Sequence, residues 1–161
     1  MKIKLFTTGG TIDKVYFDAK SEYEVGPPQV VEILKEAHVT LDCAIESLLS
    51  KDSLEMTEAD RLLIRQRVEA DPCPRIVITH GTDTMVQTAL GLRGIAGKTI
   101  VLTGSMQPAR FKVTDAAFNI GAAMGAVQSL PPGVYIAMNG RIFDPARTRK
   151  NLNDNCFEET R

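Results

Sequence analysis

The stretch Ile76-Val77-Ile78-Thr79-His80-Gly81-Thr82-Asp83-Thr84-Met85 constrains this chain most. β-favouring apolar residues run into small hydroxyls, a glycine and a carboxylate. Val86, Ala89 and Leu90 then recur at helical spacing. That is a buried strand turning directly into a helix. A short strand that is apolar on both faces needs cover on both, as in a parallel sheet between helix layers.

The same alternation runs along the chain. Apolar strand-like runs occupy residues 3–8, 39–49, 99–103 and 134–138. Amphipathic segments separate them at residues 28–37, 57–70, 85–92 and 114–127. Thr57 reads as one helix cap and Thr114-Asp115 as another. The last helix is expected to pack through Ala117, Ile120, Gly121, Met124 and Val127, and Arg61, Arg65 and Arg67 to form the solvated side of the second. Repeated βα units predict one α/β domain with a doubly wound, mainly parallel sheet, a three-layer sandwich of the flavodoxin or Rossmann kind. Residues 13–26 are polar with interspersed Tyr16, Phe17 and Tyr23, so an irregular loop of lid or binding-loop type is expected there. Residues 141–161 are rich in charge and Asn and read as an extended tail. The expected domain covers residues 1–150 and the tail 151–161.

Bulk properties narrow the function classes. Nineteen basic residues face twenty acidic ones, for a net charge of -1. That balance offers no electrostatic case for nucleic acid. No apolar run approaches the roughly 18 residues of a membrane helix, and the first residues do not resemble a secretory leader. Cys43, Cys73 and Cys156 are odd in number and widely spaced, which predicts free thiols in a reducing compartment and a cytoplasmic protein.

Several familiar motifs fail on context. Gly97-Lys98-Thr99 lacks the leading glycine of a phosphate-binding loop, since Leu92 stands there, and it precedes a strand rather than a helix. Gly9-Gly10 follows a strand without the rest of a dinucleotide fingerprint. His38 and His80 have no partners at metal-ligand spacing, so no metal site is expected. What remains is a set of hydroxyls at strand ends: Thr11, Ser53, Thr82 and Ser105. All strand ends of a parallel sheet share one edge, so these groups can converge there. Asp83 and a later lysine can join them. A hydroxyl needs help to act as a nucleophile, and amides of glycine turns can stabilise an oxyanion. The chemistry such a set supports is acyl transfer at a carbonyl. The plain alternative is turn and cap residues, with Thr82 or Asp83 capping the following helix.

Thr8-Gly9-Gly10-Thr11-Ile12 and His80-Gly81-Thr82-Asp83-Thr84-Met85 together resemble the signature pair of the L-asparaginase/glutaminase family. Tyr23-Glu24-Val25-Gly26, Ser53 ahead of Met56, the segments 102–108 and 115–119, and Lys150 extend the resemblance over nearly the whole chain. It implies conversion of L-asparagine to L-aspartate and ammonia, without a cofactor. Thr11 would attack the side-chain amide carbon, assisted by Tyr23 of a closing lid, with Tyr16 as the alternative tyrosine. Thr82, Asp83 and Lys150 would form a second hydrogen-bonded triad. Gly10, Ser53 (or the nearby Ser50), Thr82, Asp83 and Ser105 would hold the substrate, Ser53 at its α-carboxylate, Asp83 at its α-amino group and the Ser105 backbone at the leaving amide. The resemblance also implies a homo-oligomer. Full-length members of that family carry a second domain whose acidic residue reaches a neighbour's site, and nothing here matches it. A local acid among Asp13, Asp18, Glu22 and Glu24 is expected to substitute, or the site is incomplete. The other functions in view are a non-catalytic amino-acid-binding module and the ammonia-generating part of a transamidation assembly.

Overall fold

The computed structural model describes residues 1–18 and 21–160. In chain order the elements are β1 (Lys2–Gly9), β2 (Lys14–Phe17), β3 (Glu22–Val25), α1 (Val30–Glu36), β4 (Asp42–Lys51), α2 (Glu58–Ala70), β5 (Arg75–Thr79), α3 (Met85–Gly91), β6 (Thr99–Thr103), α4 (Ala116–Ser129), β7 (Gly133–Met138), β8 (Arg141–Phe143), β9 (Thr148–Asn151) and β10 (Cys156–Glu159). Short 3-10 turns occupy Thr11–Asp13, Ser53–Glu55 and Pro145–Arg147.

Six strands form the central sheet in the order β4-β1-β5-β6-β7-β8. The first five are parallel, and β8 runs antiparallel to β7. Along the five parallel strands the chain order is second, first, third, fourth, fifth. The direction of winding therefore reverses between β1 and β5, and an open α/β sheet leaves its ligand crevice at such a reversal.

Strand alternation builds the two cores. Ile3, Leu5, Val77, Val101 and Ala137 point to the face covered by α1 and α4. Phe6, Ile76, Ile78, Ile100, Leu102, Ile136 and Met138 point to the face covered by α2 and α3. Each of these Val, Leu, Ile, Phe and Met side chains, fully buried, contributes about 1.5–3 kcal/mol. Thr57 caps α2 through a capping box with Asp60.

Several local expectations are corrected. Residues 13–26 are not an irregular loop: β2 and β3 pair antiparallel as a hairpin, with Tyr16 opposite Tyr23. Residues 141–160 are not an extended tail. They supply β8 to the main sheet and the separate hairpin β9–β10, so the expected boundary at residue 150 falls inside a strand. On α4 the buried stripe is Ala116, Asn119, Ile120, Ala123, Met124, Ala126 and Val127, while Ala117 and Gly121 face outward. Arg61 and Arg65 are not simply solvated. They bridge α2 to the α3 segment, through Gln87 at 3.0 Å and the Gly91 carbonyl at 2.6 Å.

Candidate active site

The turns that follow β1, β4 and β5 touch one another at the switch point. Gly10 has φ of 88°, and a Cβ on it would stand 2.4 Å from the Gly81 amide nitrogen. A Cβ on Gly81 would stand 2.6 Å from the Ser53 Cβ. Only glycine permits both the dihedral and the approach. The residues that follow these two glycines are Thr11 and Thr82, so one backbone contact brings together the turns that carry the two threonines. The Gly10 amide itself donates to the Lys51 carbonyl at 2.9 Å, which ties the turn to the end of β4.

Lys150 reaches Thr82 and Asp83 from the far end of the chain. Its Nζ donates to Thr82 Oγ1 at 2.7 Å and to Asp83 Oδ1 at 2.7 Å. The lysine and threonine are largely enclosed, whereas the Asp83 side chain is one-third exposed. The hairpin β9–β10 carries this lysine, with Lys150 opposite Phe157. Phe157 is buried against Phe143 at 6.3 Å between ring centres, and its amide donates to Asn139 Oδ1 at 2.9 Å. Neither Thr82 nor Asp83 caps α3. Its N-cap is Thr84, whose hydroxyl donates to the Ser53 carbonyl at 2.8 Å and so fixes the β4 turn to the β5 turn.

Thr11 opens the 3-10 turn after β1 and is half-buried, and its hydroxyl makes no hydrogen bond to the other described residues. Tyr23 is not brought into hydrogen-bond contact with it. Tyr23 lies about half-exposed in an edge-to-face row, 5.4 Å from Tyr16 and 5.6 Å from Phe111 in the loop after β6. The hairpin is thus clasped by aromatic contacts. Asp13 closes its base: its carbonyl accepts the Gly26 amide at 2.8 Å and its buried carboxylate accepts the Gln29 amide at 2.8 Å. Burial pushes the Asp13 carboxyl up to about 7, against the Gln29 hydrogen bond that lowers it. Asp18 and Glu22 are exposed, and Glu24 lines a side cleft.

Ser53 is buried, and its hydroxyl has no hydrogen-bond partner among the described residues. Ser50, the alternative, is exposed. Such an orphan donor costs stability unless something binds it. Ser105 is equally buried, and its hydroxyl already donates to the Gln107 carbonyl at 2.5 Å, so that proton is not offered to a ligand.

A family model for the N-terminal domain of asparaginases matches residues 2–159. The chain belongs to the asparaginase family. A glutaminase-asparaginase of Acinetobacter glutaminasificans is 30% identical over 94% of this chain and 50% of its own length. A component of the glutamyl-tRNA(Gln) amidotransferase of Methanococcus vannielii is 30% identical over 88% of this chain and 35% of its own. Among solved structures, the thermostable L-asparaginase of Thermococcus kodakarensis superposes with a TM-score of 0.83 at 29% identity, covering 99% of this chain and 51% of that one. The chain thus spans about half the length or less of these relatives.

Three supports of this asparaginase-family site escape the sequence patterns. His80 is fully buried. Its Nδ1 faces the Gly81 carbonyl at 2.7 Å and must donate, so Nε2 accepts from the Thr88 hydroxyl at 2.8 Å. Burial lowers its pKa to about 4, against the raising effect of the Gly81 carbonyl and with a further lowering by the Arg61 charge. The ring is therefore a neutral brace for the Gly81-Thr82 turn. Asp115 is the N-cap residue of α4, as expected, but its side chain makes no cap bond and accepts the Met106 and Gln107 amides at 3.0 and 3.1 Å and an Asn119 amide hydrogen at 2.8 Å. It holds the loop after β6 in place, while Thr114 Oγ1 accepts the Ala116 amide. The third is the ion pair of Lys14 with Asp52 at 2.7 Å, which joins the strand after Thr11 to the residue before Ser53. His80 and Asp115 lie inside the quoted motif segments, which do not disclose these bracing roles, and no motif marks the Lys14–Asp52 pair. Among the described residues no group of His, Cys, Asp and Glu is arranged to hold a metal, and no helix is long and apolar enough to cross a membrane.

Proposed function

We propose that this chain hydrolyses L-asparagine to L-aspartate and ammonia through an acyl-enzyme on Thr11. The observation that carries the reading is the Lys150–Thr82–Asp83 cluster, set beside Thr11 by the Gly10–Gly81 contact. Thr11 Oγ attacks the amide carbon, and the C–N bond breaks as the nitrogen gains a proton and leaves as ammonia. Thr82 Oγ1 accepts from Lys150, so its own hydrogen is free to point at the leaving nitrogen or an incoming water. Water then cleaves the Thr11 ester to give aspartate and regenerate the hydroxyl. Asp83 and Ser53 orient the substrate, Ser53 through its unpartnered hydroxyl. Tyr23 approaches Thr11 only if the hairpin closes further.

The test is ammonia release from asparagine and glutamine by the purified chain. Thr11→Ala and Thr82→Ala are each expected to lower turnover at least about 10²-fold. Turnover that survives both substitutions would sink the mechanism. The amidotransferase component among the relatives favours a second reading, delivery of ammonia to a partner. That reading predicts weak hydrolysis by the isolated chain and stimulation by an acceptor enzyme.

A further inference from the structure

Ser105 takes its position from α4. The glycine before it packs against the turn after β5, where a Cβ on Gly104 would stand 2.3 Å from the His80 carbonyl oxygen. Across the same contact the His80 amide donates to the Thr103 carbonyl at 2.9 Å. Ser105 is buried, yet neither its amide nor its carbonyl bonds to another described residue. Each of these two groups belongs to a peptide plane whose other end is held.

Asn119 of α4 holds the first plane. Its Nδ2 donates to the Gly104 carbonyl at 3.0 Å and to Asp115 Oδ2 at 2.8 Å. Both partners are acceptors, so the nitrogen and not the oxygen of the side chain faces them. Asp115 holds the second plane, because its carboxylate accepts the Met106 amide at 3.0 Å. A trans peptide sets its C=O and N–H in opposite directions, and the described residues contain no cis bond. With the Gly104 carbonyl turned to Asn119, the Ser105 N–H points away from that side chain. With the Met106 N–H turned to Asp115, the Ser105 C=O points away from that carboxylate. One residue thus presents a donor and an acceptor away from the start of α4. Asn119 is only 1% exposed, and its Oδ1 has no hydrogen-bond partner among the described residues. A buried orphan acceptor destabilises the fold, and a leucine of similar size would avoid it. What the asparagine offers in return is its two N–H groups.

We propose that Asn119, paired with Asp115, is a positioning residue for the reaction, and that the pair aims the Ser105 peptide groups at the side-chain carboxamide of the substrate. The inference rests on the asparagine-hydrolysing reading, in which the Ser105 backbone faces the leaving amide. Neither side chain of the pair touches the substrate. The Ser105 carbonyl accepts an N–H of the carboxamide, a contact that an ester in the same place cannot make. Loss of the pair therefore weakens action on amides and spares esters.

The test compares L-asparagine with the β-methyl ester of L-aspartate on the full chain, through kcat/KM, which measures transition-state stabilisation relative to free enzyme and substrate. Asn119→Leu is expected to lower kcat/KM about tenfold on asparagine and less than about threefold on the ester. Asp115→Asn, at the half-buried start of the helix, is expected to show the same selectivity, and it reads the pair even if the buried leucine prevents folding. A parallel fall on both substrates, or wild-type kcat/KM on asparagine in a folded variant, overturns the proposal. The parallel fall would make the pair a structural brace and leave the hydrolase standing. If the wild type releases no ammonia, the hydrolase reading fails, and titration calorimetry of the same two compounds decides the role of the pair. A preference for asparagine over the ester that both variants lack supports it. Equal binding by the wild type, no binding, or a preference that the variants keep overturns it.

Discussion

At the scale of single residues, two buried groups beside the site carry opposite proton linkages. His80 is held neutral, its pKa lowered from 6.5 to about 4. Between those values the unfolded chain binds the extra proton, so stability falls as pH drops. Asp13 is raised to about 7. Between roughly 4 and 7 the folded chain binds the extra proton, so stability rises as pH drops and is lost as pH climbs toward 7. Each linkage amounts to as much as about 1.4 kcal/mol per pH unit, and from about pH 6.5 to 5 they cancel. Asp13→Asn keeps an acceptor for the Gln29 amide and removes one of the pair. The variant is expected to be more stable than wild type at pH 8, and to lose about 1.4 kcal/mol per unit from pH 6.5 to 5 while wild type stays nearly flat. Denaturant unfolding across that range measures both slopes. Parallel curves for the two proteins would show that Asp13 titrates normally.

At the scale of elements, legibility follows apolar content. Strands β5, β6 and β7 carry continuous apolar runs bounded by polar turns, and β1 carries Ile3, Leu5 and Phe6 around Lys4, so their positions are readable to within a residue or two. The β2–β3 hairpin has four-residue strands with exposed or half-exposed side chains, so no burial pattern marks it. The β9–β10 hairpin is equally polar, and Phe157 is its buried apolar anchor beside the buried Thr148. On α4, small residues on every side blur the helical period, which is why the pattern misplaces its buried face by Ala117 and Gly121. Among site residues, Thr11 and Thr82 stand out in the sequence because glycine-flanked hydroxyls follow apolar strands. Lys150 lies in a charged stretch whose pairing no local pattern reveals. Its place over Thr82 depends on Phe157, so Phe157→Ala is a direct test. The substitution is expected to remove about 3–5 kcal/mol of packing, concentrated in the hairpin. Ammonia release should then fall as far as in Lys150→Met, while far-UV circular dichroism at low temperature retains the signal of the central sheet and helices. Activity close to wild type would mean that the lysine is held by its bonds to Thr82 and Asp83 alone.

At the scale of the whole molecule, the winding reversal between β1 and β5 decides where chemistry is possible, and elements distant in sequence converge there. Thr11 follows β1, Ser53 follows β4, Thr82 follows β5, and Lys150 returns from β9. Relatives that match this chain are about twice its length or longer, so the central question is whether this half holds a complete charge set. Among this chain's own carboxylates, Asp83 is the one that the proposed function assigns to orient the substrate. That has a consequence for assembly. If the chain associates with copies of itself, the contact supports the fold without supplying a substrate-binding group. Specific activity should therefore stay constant through a dilution series in which light scattering shows the assembly coming apart, provided the protomers remain folded. Activity that falls in step with dissociation, and is restored by an excess of a Thr11→Ala chain, would place a substrate-binding residue on the neighbouring copy. A mixture with the Thr11→Ala chain makes that distinction sharp, because the variant lends its surface but no nucleophile.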